Sequence, residues 1–288
     1  MELIICKQLW GHDSTFEALI NDVVGAGFHG VEGAPPDSEA DREELAGRMQ
    51  DAGLHYIAEI STGIFTPGKW VPDPGTTVEQ HLDTFREILD HCLSMKPLRI
   101  TSMAGNDLWP IDESIRFFKE AMKIADDAGT EVSFETHRGR STVHPLTTAA
   151  IIEAIPDIPL TCDFSHWCVV TERSEILDEF PVLLQDCAFR ARHVHARVGY
   201  DQGAQVPDPR APEYAHCVAA HERWWDVIWE AQENRGYEIA SMTPEFGPDG
   251  YLQMEPYTQK PVADLWEINQ WMGKRQLQRF AERQLSPV

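Results

Sequence analysis

Eight times along this chain a short apolar run is followed by a longer segment of helical periodicity, and the repeat averages about 35 residues. Strands that alternate with helices pair in parallel, because each right-handed crossover brings the chain back to the same end of the sheet. The predicted strands cover residues 3–10, 28–32, 54–62, 98–103, 131–136, 159–164, 191–198 and 239–246. The first predicted helix is capped by Asp13 or Ser14 and ends at Gly25 and Gly27. The others cover 38–52, a segment from Thr77 onward, 112–128, 144–155, 174–189, 216–234 and 261–284, with a polar tail after the last. Eight such units fit one α/β domain over residues 1–288, a single (β/α)₈ barrel whose C-terminal helix and tail start near 260. An open doubly wound sheet would carry a glycine-rich fingerprint in its first turn, and Trp10-Gly11-His12-Asp13 is not one.

Polar residues collect where a barrel places its chemistry, at the C-terminal ends of the strands. In the stretch from Glu131 to Arg138, alternation turns Val132, Phe134 and Thr136 one way and Ser133, Glu135 and His137 the other. Asp163, His195 and Glu245 end three later strands, and Ser133, Thr161, His193 and Thr243 lie one layer lower on the same face. Glu135, Asp163, His195 and Glu245 offer three carboxylates and one imidazole, a ligand set suited to Mn²⁺, Mg²⁺, Co²⁺ or Zn²⁺. Trp10, Trp70, Trp109 and Trp167 follow strands and could form an aromatic pocket rim or cap the barrel top. Trp224, Trp225, Trp229, Trp266 and Trp271 fall on helices and read as packing. The eight histidines at 12, 29, 55, 81, 91, 144, 216 and 221 read as ordinary surface or helix residues.

The formal net charge of −23 repels nucleic acid and anionic membrane, so neither is an expected partner. The six cysteines, Cys6, Cys92, Cys162, Cys168, Cys187 and Cys217, form no CxxC pair and read as free thiols of a reducing compartment. The N-terminal apolar run is too short for a signal peptide, and no stretch approaches the ~20 apolar residues of a membrane span. A cytoplasmic protein is expected.

Glu135, Asp163-x-x-His166, His193-x-His195 and Glu245, in this order at strand ends, resemble the xylose-isomerase-like barrels. These are sugar isomerases and epimerases typified by tagatose/psicose 3-epimerases and hydroxypyruvate isomerase. The resemblance spans residues 3–271, and its strongest pieces are Phe134-Glu135-Thr136-His137-Arg138, Asp163-Phe164-Ser165-His166 and Pro244-Glu245-Phe246. It implies one divalent ion, Mn²⁺ first, held by Glu135, Asp163, His195 and Glu245. It also implies Glu135 and Glu245 as a catalytic acid/base pair, with His166, Arg197 and His137 reaching the substrate, a small sugar or polyol ketone. The sequence departs from the epimerase pattern after His195, where Ala196-Arg197-Val198-Gly199-Tyr200-Asp201 replaces the expected Gly-Glu, and a proline-rich loop follows to Pro212. That loop is the segment expected to cover the pocket or to pair two copies of the chain.

The chemistry explains the residue types. A proton beside a carbonyl is weakly acidic, and a divalent cation on the ketone and its neighbouring hydroxyl stabilises the enediolate oxygen. Epimerisation then needs two carboxylates on opposite faces, whereas isomerisation can use one twice. A sugar isomerase or epimerase is the first reading. The same groups can drive elimination from a keto-sugar, keto-glycoside or keto-inositol, which makes a lyase or dehydratase the alternative. A non-catalytic sugar- or partner-binding barrel and a metal-dependent nuclease are further alternatives, the last opposed by the charge.

Overall fold

The computed structural model describes residues 1–285; the polar tail expected after residue 284 lies almost wholly outside them. Eight parallel strands close into a barrel in sequence order, and the last pairs with the first. The strands are β1 (Glu2–Gln8), β2 (Gly30–Gly33), β3 (His55–Ser61), β4 (Arg99–Met103), β5 (Val132–Glu135), β6 (Leu160–Cys162), β7 (Ala191–His195) and β8 (Ile239–Thr243). The helices are α1 (Phe16–Ala26), α2 (Glu39–Asp51), α3 (Val78–Ser94), α4 (Ile111–Asp127), α5 (Pro145–Ala154), α6 (Ser165–Thr171), α7 (Ile176–Glu179), α8 (Pro181–Arg190), α9 (Ala215–Asn234) and α10 (Leu265–Leu285).

Local chemistry sets most boundaries. Thr77 and Gln80 form a reciprocal capping box at the start of α3. The cap of α1 is Thr15, not Asp13 or Ser14. That start puts Leu19 and Val23 on the buried side. The predicted helix 174–189 is two helices, because Pro181 has no N–H to continue the ladder. The predicted helix from 261 starts only at Leu265, where the Asp264 carboxylate accepts from the Glu267 amide.

Two packed regions follow from strand alternation. Outward residues meet the helices: Phe134 lies against Phe118 and Phe85, with ring centroids 4.8 and 6.4 Å away. Burying one such ring contributes roughly 1.5–3 kcal/mol. Trp224, Trp225 and Trp229 are buried, whereas Trp266 and Trp271 are half-buried. The six cysteines are all buried and unpaired. Inward residues form polar layers. The Thr161 hydroxyl lies 2.7 Å from those of both Thr101 and Ser133, and the His193 ring lies 2.8 Å from the Ser241 hydroxyl. Glu135 and His195 continue this face at the last residues of β5 and β7. Among the described residues no helix is long and apolar enough to cross a membrane.

Candidate active site

Glu135, Asp163, His195 and Glu245 converge at the C-terminal mouth of the barrel. One ligand atom from each lies within 4.8 Å of every other. All four are buried. The His195 Nδ1 sits 3.1 Å from both a Glu135 and a Glu245 oxygen. Oε2 of Glu245 has Arg197 Nη2 and His195 Nδ1 each at 3.1 Å, whereas Oε2 of Glu135 is buried without any partner, which costs free energy unless something positive meets it. Burial pushes Glu135 up to about 7, with His195 opposing. Burial also works against the Glu245 carboxylate, but Arg197 and His195 outweigh it and hold its pKa below the usual value. Two carboxylates side by side are thus driven in opposite directions.

Glu32, at the end of β2, was given no role by the sequence. One oxygen lies 2.9 Å from His195 Nε2 and the other 3.1 Å from His193 Nε2. An N–H on His195 Nε2 that donates to Glu32 leaves the Nδ1 lone pair facing Glu135 and Glu245. Burial opposes the Glu32 charge, but His193 and His195 overcome it and keep the group ionised. His193 lies one layer below His195, and Glu32, His193 and His195 form a second group whose ligand atoms lie within 4.8 Å of one another. Glu59 lies on β3, two residues beyond the neighbour of Glu32. Burial, then Glu245, Glu135 and Glu32, push it up to about 8, so it is a neutral carboxyl at neutral pH. The visible signal for both was an acid on the inward parity of a strand.

Arg197 is buried and its Nη2 donates to Asp163 at 2.6 Å and to His166 Nε2 at 2.8 Å, with Glu245 at 3.1 Å. It both neutralises the acids and lines the cavity above them. His166 lies in the first turn of α6, a helix the sequence reading missed because β6 runs almost directly into it. With Nε2 taken by Arg197, only its unpartnered Nδ1 is left to donate. The His137 ring meets that of His166 at a tilt of 49° with centroids 3.9 Å apart, and its Nδ1 donates to the Arg138 carbonyl.

Residues 20–210 match the model of the xylose isomerase-like TIM barrel family. The chain belongs to this family. No curated protein matches it in sequence. Solved structures share the fold. A xylose isomerase-like TIM barrel protein from Mycobacterium smegmatis in complex with magnesium has a TM-score of 0.60 and 14% identity, covering 96% of this chain and 97% of that one. The probable 3-DHS dehydratase AsbF of petrobactin synthesis from Bacillus anthracis has 0.57 and 14%, covering 93% and 97%. A D-psicose 3-epimerase with D-tagatose from Clostridium cellulolyticum H10 has 0.55 and 16%, covering 97% and 96%.

The mouth of this xylose isomerase-like barrel opens into a cavity of about 600 Å³ whose walls include Trp10, Phe65, Trp70, Tyr251, Arg197 and Glu245. Trp10 and Trp70 are therefore rim residues. Trp109 is not: its ring lies on His81 at 4.6 Å, its indole N–H donates to the Thr76 carbonyl, and it lines a different cavity. Trp167 is fully buried in α6 and donates to the Thr142 carbonyl. His81 and His221, expected as surface or helix histidines, lie on α3 and α9 and are both fully buried. The loop after β7 folds inward instead of projecting. Ala204, Gln205 and Val206 are buried, and Gln205 bonds both the amide and the carbonyl of Gly247, two residues past Glu245. Those three residues are not available to a second copy of the chain.

Proposed function

We propose that the chain is a divalent-metal-dependent isomerase or epimerase that moves a proton beside the carbonyl of a sugar or polyol ketone. The observation that carries the reading is the convergence of Glu135, Asp163, His195 and Glu245, with one buried carboxylate oxygen, Glu135 Oε2, left without a partner. These four residues would hold the ion. When bound, a divalent cation polarises the ketone and lowers the cost of charge on its oxygen.

Glu135 comes from β5 and Glu245 from beyond β8, so two carboxylates flank one spot. One takes the proton from carbon. In epimerisation the other returns it from the opposite face; in isomerisation the first returns it to the neighbouring carbon. Arg197 and Asp163 fix the Glu245 side, and Trp10 and Tyr251, which meet edge to face at 5.2 Å, supply apolar surface for C–H faces.

Elimination of a leaving group is the second reading. The size and aromatic walls of the cavity favour it, since they leave room for more than a monosaccharide. A dehydratase among the fold neighbours is consistent with it.

The test combines metal content with proton exchange. Wild type is expected to hold about one divalent ion per chain and to place deuterium beside the carbonyl of a ketose or keto-glycoside in D₂O. Glu135→Gln with Asp163→Asn should lose both. A released leaving group in the NMR spectrum selects the lyase reading. Absence of bound metal after reconstitution, together with absence of exchange, overturns the proposal.

A further inference from the structure

Two arginines of this chain are almost fully buried, Arg197 and Arg140. Arg197 has Asp163 at 2.6 Å. Arg140 has no acid. Its contacts are the Ser61 hydroxyl at 3.2 Å and the carbonyls of Trp70 and Gly139, both at 3.5 Å. Its Nε donates to nothing, and its guanidinium carbon lies 5.3 Å from the centre of the Phe65 ring. Burial pulls its pKa down to about 10, outweighing the more distant Glu135, Glu59 and Asp107, none of which reaches it as an ion pair.

A buried guanidinium with neutral, long contacts is an unstable arrangement on its own. It becomes a favourable one when a planar anion accepts its fork. Arg140 forms a wall of the same cavity that carries Glu245 and Arg197, with Ser61 and Lys69 beside it.

We propose that Arg140 anchors a carboxylate of the substrate, so that the chain acts on a keto acid of sugar or carbocyclic type in preference to a neutral sugar. The inference rests on the proposed proton-transfer chemistry for the rest of the cavity. One guanidinium and one hydroxyl suit a carboxylate. A phosphate dianion would call for more donors and, carrying two charges, would be opposed more strongly than a carboxylate by Glu135, whose field reaches Arg140.

Matched probes test it by calorimetry on the Mn²⁺-loaded protein. D-Fructuronate is compared with D-fructose, 3-oxocyclohexanecarboxylate with its carboxamide, and D-fructose 6-phosphate is added as the phosphate arm. Wild type should bind at least one acid on the order of 10- to 100-fold more tightly than its neutral partner. Arg140→Met should bring that ratio to about one, and Arg140→Lys should keep part of it, because the charge stays and the fork is lost. A purely structural arginine would change the melting temperature and leave the ratio intact. Equal binding of acid and neutral probes by wild type, no binding of any probe, an unchanged ratio in Arg140→Met, or a preference for the phosphate ester each overturns the assignment. If neither variant folds, the wild-type ratios decide alone. Deuterium exchange on the same samples separates the two claims. Exchange without acid preference removes the anchor only, and acid preference without exchange removes the reaction only.

Discussion

Glu32 touches two imidazoles at once, and those contacts determine which nitrogen of His195 faces the carboxylates. Removing its oxygens frees the ring to change tautomer or rotate. Glu32→Leu is therefore expected to weaken Mn²⁺ binding by about 10- to 100-fold. Glu32→Gln should weaken it less, because the amide oxygen can still accept from Nε2. His195→Ala should abolish most metal occupancy and His193→Ala should lower it to a smaller degree. Metal titration of the four variants checks this, and equal losses for His193→Ala and His195→Ala would undo the division of roles. Glu135, Asp163, His195 and Glu245 were legible because parity and strand end point to the same spot. Glu32 and Glu59 share the parity, yet alternation says only that a side chain points inward. It does not say how far up the barrel the tilt and stagger of its strand carry it. Arg140 was visible as a basic residue beyond β5, but its lack of an acid partner is a property of the packed structure.

At the scale of elements, the start of the loop after β7 is tied to α9. His221 Nδ1 donates to the Cys217 carbonyl at 2.9 Å, and its Nε2 accepts from the Gly199 amide at 3.3 Å. A second proton would turn that acceptor into a donor against an N–H, and burial already drives the ring down to about 4 from 6.5. The folded value lies below the unfolded one. Between them the unfolded chain binds more protons, so stability is full above pH 6.5 and falls as pH drops toward 4. The gap corresponds to roughly 3 kcal/mol at most. His221→Asn should show a loss between pH 6.5 and 4.5 that is smaller than that of wild type by roughly 2–3 kcal/mol in urea unfolding. Parallel pH profiles would rule the histidine out. The same segment explains one glycine: a Cβ on Gly199 would stand 2.3 Å from the Ser165 carbonyl oxygen. Helix α6 and the inward fold of residues 204–206 were not legible. A seven-residue helix has too few turns to show a period, and a proline-rich loop carries no pattern that says which way it folds.

The whole molecule was the most legible level, because a repeat of eight strand–helix units constrains topology far more tightly than any one unit constrains its own ends. Its charge brings a problem that the site can relieve. A net −23 opposes the compact state, and the cluster adds Glu135, Asp163 and Glu245 at close range. A cation bound only by the folded chain shifts unfolding by mass action. Mn²⁺ at 100 times its Kd should add about 2.7 kcal/mol. For a domain of this size that raises the melting temperature by about 4–5 °C, and EDTA should reverse it. Two causes could give such a rise: a specific ion at the four ligands, or general screening of an acidic surface. They differ in dose and in dependence on residues. Screening works with NaCl at equal ionic strength and survives Asp163→Asn. The specific ion saturates near one equivalent per chain, does not respond to NaCl, and is lost in Asp163→Asn. A rise that persists in the variant would assign the effect to the surface and leave the cluster without a demonstrated ion.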